Sequence, residues 1–400
     1  VTLKAIESCK KIAVVIPKYG LVGGAEGHTA ELTSHIAKDD RYDVHVFANK
    51  WSNHDENITF HKIPIITFQK YLTTPSFAYF AGLQISRMNS FDLIHTHDRI
   101  FNADVFTMHG IPHRAWVHEV RKKNRSLFDY TTEWVESKLV KNGKKFIAVS
   151  TLVKEKFLEA YHDVDPGRVP VIHPGVDIKK FQKYNRLLCY KEVRQKFNID
   201  PKDITIIFVS MNYDIKGLDY LMAGLARFKS KYPEKRFKLL IVGKSSDRKY
   251  IHLAAQLGIG DAVIYTGVIQ NGEIAKMYLA SDIFAMLSRY DTFGLTVLEA
   301  MTASLPVIIS KHVGAKDIIR HGKDGFVVSN ETNPDEIAHA IFFLSRDDVK
   351  ASMATEACWT ASKNSWESTA KKTKDIYDLC LTVDNAFPNH DQLIGKAPAL

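Results

Sequence analysis

Short apolar runs that end in polar or glycine-bearing loops and then give way to helical patterns recur through this 400-residue chain, and they narrow its fold most. Residues 11–16 form one such run, rich in β-branched side chains, as expected of a parallel strand buried on both faces. The run leads into a glycine loop, Tyr19 to Gly24, and then a helical pattern over about 25–38. Further strands are predicted at 43–48, 92–97, 105–108 and 145–150. A second alternation starts at 204–210 and continues through 237–242, 262–269 and 283–287. Strands that alternate with helices predict an α/β class, each parallel sheet carrying helices on both faces. Two alternations in a chain of this length favour two domains over one core.

Composition excludes several classes. No apolar run approaches the length of a membrane span, and the first residues lack the apolar core of a signal peptide. Cys9, Cys189, Cys358 and Cys380 are scattered, without metal-site spacing, which fits a reducing cytoplasmic compartment. The formal charge of +9 suggests an anionic partner such as a nucleotide, a phosphorylated glycolipid or a membrane surface. No nucleic-acid-binding module is visible, and no nucleic acid is expected as a partner.

The stretch Ser288–Pro306 carries the most chemistry. The run at 283–287 enters a short polar loop, and Gly294 opens a helix predicted over 295–303. The first amides of a helix have no intrahelical partner and form a ready anion site. Asp291 lies in the loop, and Glu299 lies one turn after Leu295, beside Leu298 on the apolar side of the helix. A charge placed there needs a partner. Vicinal ribose hydroxyls would serve, with the helix N-terminus holding a diphosphate; a neighbouring lysine or backbone amide would serve as well.

An acid, seven residues and then Glu, enclosing Phe293, Gly294, Leu295 and Thr296, resembles the signature of the retaining GT-B glycosyltransferases of family GT4. The similarity continues through Ala300, Met301, Pro306, Gly314 and the turn Gly322 to Gly325. It implies two Rossmann-like domains facing a central cleft: an N-terminal acceptor domain (1–178), a nucleotide-sugar domain (179–364), a terminal helix crossing back (365–383) and a tail (384–400). It implies that Asp291 contacts the donor sugar, that backbone from Phe293 to Thr296 holds sugar and phosphate, and that Glu299 holds the ribose. Lys216 would bind the diphosphate, backbone near Val268 and Ile269 would meet the nucleobase, and the loop with Gly23 and Gly24 would lie against donor phosphate. His109 would sit beside the reacting carbon. Asp291 stands where the family usually has Glu, a reach shorter by about 1.5 Å. Met211 and Ile215 stand where the family places a phosphate-binding arginine; Lys244 is a candidate substitute.

Other residues bear alternative readings. His95 and His97 share a strand face, and with His109 they also read as metal ligands, although no Cys, Asp or Glu completes the set; no metal or cofactor is expected. His97, at a strand's carboxyl end, is a candidate cleft residue. Between 114 and 128, Arg114, His118, Arg121, Lys122 and Arg125 recur at helical spacing opposite Trp116, Val117, Val120, Leu127 and Phe128. Such a basic amphipathic helix reads as a platform for an anionic acceptor, as a membrane-surface element or as an ordinary solvated face. Its position resembles the acceptor region of enzymes that glucosylate the lipopolysaccharide core, which implies a peripheral place at the inner face of the plasma membrane. Asp163-x-Asp165 matches a metal-binding motif by letter and a turn by context. The combined expectation is transfer of a hexose from a nucleoside diphosphate, UDP first, to a sugar hydroxyl of a glycolipid or lipopolysaccharide-core acceptor. A nucleotide-sugar 2-epimerase and a non-catalytic nucleotide-sugar or glycan-binding protein are the alternatives.

Overall fold

The structure, a computed structural model, describes residues 9–21, 23–52, 55–244 and 247–386. The tail expected from 384 lies outside these residues from 387 onwards. The chain forms two compact units. One comprises the residues up to Ala148, Phe157–Ile172 and those from Ala370 on; the other comprises Val149–Lys156 and His173–Thr369.

In the first unit the strands are β1 (Lys10–Val15), β2 (Lys18–Tyr19), β3 (Tyr42–Ala48), β4 (Lys50–Trp51), β5 (Ile58–Lys62), β6 (Leu93–Thr96), β7 (Val105–Met108) and β8 (Lys145–Ala148). Six of them form a parallel sheet in the order β5-β3-β1-β6-β7-β8, and β2 pairs with β4. Ile12 to Val15 are fully buried, as a central strand covered on both faces requires. Helix Trp366–Ala386 ends in this unit, where the buried Tyr377 hydroxyl is hydrogen-bonded to His95 Nδ1 at 2.6 Å.

The second unit repeats the plan with β9 (Ile204–Ser210), β10 (Phe237–Gly243), β11 (Val263–Gly267), β12 (Ile283–Met286), β13 (Val307–Ser310) and β14 (Gly325–Val328). Its parallel order is β11-β10-β9-β12-β13-β14. The core joins Ile206 and Phe208 of β9 to Leu221 and Leu225 of helix Leu218–Lys231 and to Ile337 and Ile341 of helix Pro334–Leu344. Each such side chain, wholly removed from water, contributes about 1.5–3 kcal/mol. Both sheets therefore have the doubly wound order in which connections leave in opposite directions from the first strand. A crevice opens there at the strand carboxyl ends, between β1 and β6 in one unit and between β9 and β12 in the other.

The expected single helix over 114–128 does not form. A short helical turn, His113–Ala115, runs into a π-helical stretch, Trp116–Arg121, which stops at Lys122 with φ of 51°. A new helix, Leu127–Asn142, begins with a capping box: Ser126 and Asp129 satisfy each other's backbone amides. That box decides where the second helix starts, against the continuous periodicity of the basic residues.

Candidate active site

In the second unit, the loops after β9 and β12 meet at the switch point. Lys216 and Asp291, one from each loop, form a direct ion pair. The two loops are also tied through the backbone, with the Arg289 amide donating to the Ile215 carbonyl at 2.8 Å. Gly217, at φ of 68°, makes this approach feasible, since a Cβ there would lie 2.0 Å from the Leu287 carbonyl oxygen. Gly294 plays the same part at the start of helix Leu295–Thr302. Its φ is 91°, and a Cβ would press on Met286 and Val313 at 2.9 and 3.0 Å.

The Phe293 amide donates to Asp291 Oδ1 at 3.3 Å, so the loop acid and the mouth of the helix are joined. Phe293 itself is buried, its ring stacked on His173 at 5.7 Å. Thr296 directs its hydroxyl to the Met286 sulfur at 3.7 Å. Among the described residues Glu299 makes no salt bridge; its Oε2 accepts from the Tyr278 hydroxyl at 2.9 Å. Burial pushes the Glu299 carboxyl up, against the opposing pull of Lys180 and of the Tyr278 hydrogen bond. A carboxylate whose charge is costly and whose partner is a neutral phenol gains from additional donors such as ribose hydroxyls. Val268, exposed, and Ile269, half-buried, follow the edge strand β11 at the same end of the sheet.

Arg289 is the guanidinium in this neighbourhood that sequence reasoning passed over. It is forked onto Asp219 (Nη1 to Oδ1, 2.9 Å) and stacks on Tyr220 at 4.1 Å. It thus braces the Lys216 loop. Lys244 is exposed beyond β10, with its carbonyl accepting from the Tyr213 hydroxyl. Met211 is 60% exposed.

In the first unit, His97 and His109 follow β6 and β7 and are hydrogen-bonded, Nδ1 to Nε2, at 2.9 Å. A third ring, His28 from helix Gly24–Ile36, meets His109 edge-on at 4.7 Å between centroids. His28 was not singled out by the sequence, where it is one polar residue in a helix; only the packing of that helix against the strand ends brings it here. His95 does not belong to a ligand set: Tyr377 and Thr107 occupy its two nitrogens. A cavity of about 260 Å³ adjoins this group, lined among others by His97, Asp98, Arg99, His109 and Glu136. Gly23 and Gly24 open helix Gly24–Ile36 beside it, and no Cβ contact would restrict Gly24.

The basic residues of the 114–128 segment divide. Arg114, His118, Lys122 and Arg125 are exposed, and Arg125 pairs with Glu133. Arg121 instead turns inward and holds the fully buried Asp129 at 2.7 Å, which His113 also contacts. The apolar stripe lies on the following helix, where Leu127, Tyr130 and Trp134 are more than half exposed. Asp165 caps a turn by accepting from the Gly167 amide at 3.0 Å, as turn chemistry predicts.

Two family models match the chain: Glycosyltransferase Family 4 over residues 22–180 and Glycosyl transferases group 1 over 190–358. The chain belongs to these GT-B glycosyltransferases. Among its relatives are D-inositol 3-phosphate glycosyltransferases. That of Corynebacterium urealyticum is 28% identical over 77% of this chain and 76% of its own length; that of Rhodococcus jostii is 28% identical over 68% and 62%. Two solved structures share the fold of this glycosyltransferase. WaaG, involved in lipopolysaccharide biosynthesis, aligns with a TM-score of 0.75 at 18% identity, covering 91% of this chain and 99% of that one. HepE of Anabaena, in complex with UDP and glucose, aligns at 0.69 and 18%, covering 92% and 100%. Transfer of a glycosyl group is thus the reaction class of this enzyme. No helix among the described residues is long and apolar enough to cross a membrane, and among the described residues no disulfide is formed.

Proposed function

We propose that this glycosyltransferase moves a hexose from a UDP-sugar to a hydroxyl of a phosphate-bearing glycan or glycolipid, with retention at the anomeric carbon. The observation that carries the reading is the meeting of Lys216, Asp291 and the mouth of helix Leu295–Thr302, the helix that carries Glu299, at one switch point. The departing diphosphate accumulates negative charge. Lys216 and the amides from Leu295 onward stabilise it, in positions fixed before the reaction. A helix terminus supplies up to about 2 kcal/mol when partly buried, so alignment of donor and acceptor supplies much of the rest. Donor phosphate has to compete with Asp291 for Lys216, which releases the Asp291 carboxylate toward the sugar hydroxyls. Glu299 takes the ribose. His109 stabilises positive charge at the reacting carbon or orients the acceptor, and no enzyme nucleophile is required.

Two observations bear on the acceptor. The names of the relatives favour an inositol phosphate as a second reading beside a lipopolysaccharide-core sugar. The exposed Leu127, Tyr130 and Trp134, together with the exposed Arg114 and Lys122 of the preceding segment, support peripheral contact with an anionic membrane during that transfer.

The test pairs binding with turnover. Glu299→Ala is expected to weaken UDP-hexose binding by calorimetry by roughly 10- to 100-fold, the worth of hydrogen bonds to a charged group. Unchanged affinity would remove Glu299 from the ribose. Free UDP is expected only when acceptor is present; donor interconversion without acceptor would favour an epimerase. Loss of Lys122 and Trp134 together is expected to lower retention on anionic liposomes without altering donor affinity, and equal retention would end the membrane reading.

A further inference from the structure

The geometry points to a second site, in the first unit, for a divalent transition-metal ion: we infer that His28, His97 and His109 bind it and that the occupied site inhibits transfer. One nitrogen from each of the three rings falls within 4.8 Å of the others. Tetrahedral zinc, with bonds of about 2.0–2.1 Å to imidazole, sets its ligand atoms about 3.3 Å apart. Modest rotations of the rings close the difference. Three different elements supply the ligands, helix Gly24–Ile36 and the turns after β6 and β7, so the site depends on the fold and not on a local motif.

A second observation points to a ligand. His97 is 5% exposed, and its Nε2 is buried with no hydrogen-bond partner, a costly state for a polar atom that a metal bond would relieve. An all-imidazole set prefers zinc or copper to magnesium or calcium, which take oxygen. His95 is excluded, since both of its nitrogens are engaged, although its ring packs against His97 at 4.3 Å between centroids.

Metal binding does not depend on the proposed role of His109 in transfer; the inhibition does. Zinc titrated calorimetrically into the full chain at pH 7 is expected to fill one site. Cobalt is expected to give the visible bands of tetrahedral coordination, a readout that needs no variant. His28→Gln and His97→Gln should each weaken zinc by about tenfold or more, at least what an outer-shell partner is worth. His162→Gln, whose side chain is 84% exposed, should leave binding unchanged. Wild-type affinity in both buried-ring variants, or cobalt bound without tetrahedral bands, overturns the site. Zinc should slow UDP release in the wild type, EDTA should restore it, and the His28→Gln enzyme should be insensitive. Binding without slowing overturns the inhibitory role alone, while calorimetry of the donor reports separately on the UDP-sugar reading.

Discussion

Arg121 shows how a residue's surroundings override its type. By sequence it is one of five basic residues at helical spacing; in the structure it neutralises Asp129, a carboxylate with no exposure. That carboxyl is held well below the usual range by Arg121 first, then by Ser126 and His113 against the cost of burial. Removing one partner of a buried pair leaves the other uncompensated. Arg121→Ser is therefore expected to cost about 3 kcal/mol, measured by denaturant unfolding. Lys122→Ser should cost under about 0.5 kcal/mol, because Lys122 is exposed, although its left-handed backbone adds a small term of either sign. Equal stabilities would mean that Asp129 finds another cation. The pair Ser126 and Asp129 was readable as a capping box three residues apart, and that signal, weighed against charge periodicity, would have split the helix correctly.

At the level of elements, Gly217 decides whether the loops after β9 and β12 can meet. Gly217 and Gly258 have nearly the same backbone, φ of 68° and 66°, but only Gly217 faces a close neighbour. Alanine at Gly258 pays the left-handed conformation alone, about 1 kcal/mol. At Gly217 the added Cβ also meets the Leu287 carbonyl, and a loss of about 2 kcal/mol or more with weakened donor binding is expected. Matched losses in unfolding midpoints would show that the contact relaxes freely. Strands were legible because β-branched runs such as Ile12–Val15 leave little choice in a parallel sheet. Asp291 and Glu299 were legible because their spacing spans one loop and one helix. His28, Tyr278 and Arg289 were not, since each acquires its meaning from a partner distant in sequence.

On the scale of the whole molecule, His28, His95, His97 and His109 link folding to pH. His95 lies at about 3 and His109 at about 4, each lowered chiefly by burial, with His28 and His97 lower than usual for the same reason. In the unfolded chain they titrate near 6.5. Below that value the unfolded state binds protons that the native state refuses, so stability is full above about pH 6.5 and falls as pH drops toward 4. Unfolding free energy measured from pH 7.5 to 5 should decline on the acid side, and His95→Gln should flatten the slope. A profile independent of pH there would mean that the rings take up protons in the folded state. Transfer measured in EDTA should match or exceed transfer in untreated enzyme, and a requirement for added divalent ion would contradict a donor site built on Lys216.

Connectivity adds a constraint on biosynthesis. The polypeptide passes between its two units at Ala148, Lys156, Ile172 and Thr369. Neither unit is therefore a contiguous segment that a ribosome could finish and leave to fold. His95 waits for Tyr377, translated 282 positions later, so the sheet that holds His95 emerges early yet stays incomplete until the helix carrying Tyr377 has been made. At roughly 5–20 residues per second that delay lasts tens of seconds. Nascent chains stalled before codon 370 would expose an unfinished sheet face, the kind of surface that chaperones capture.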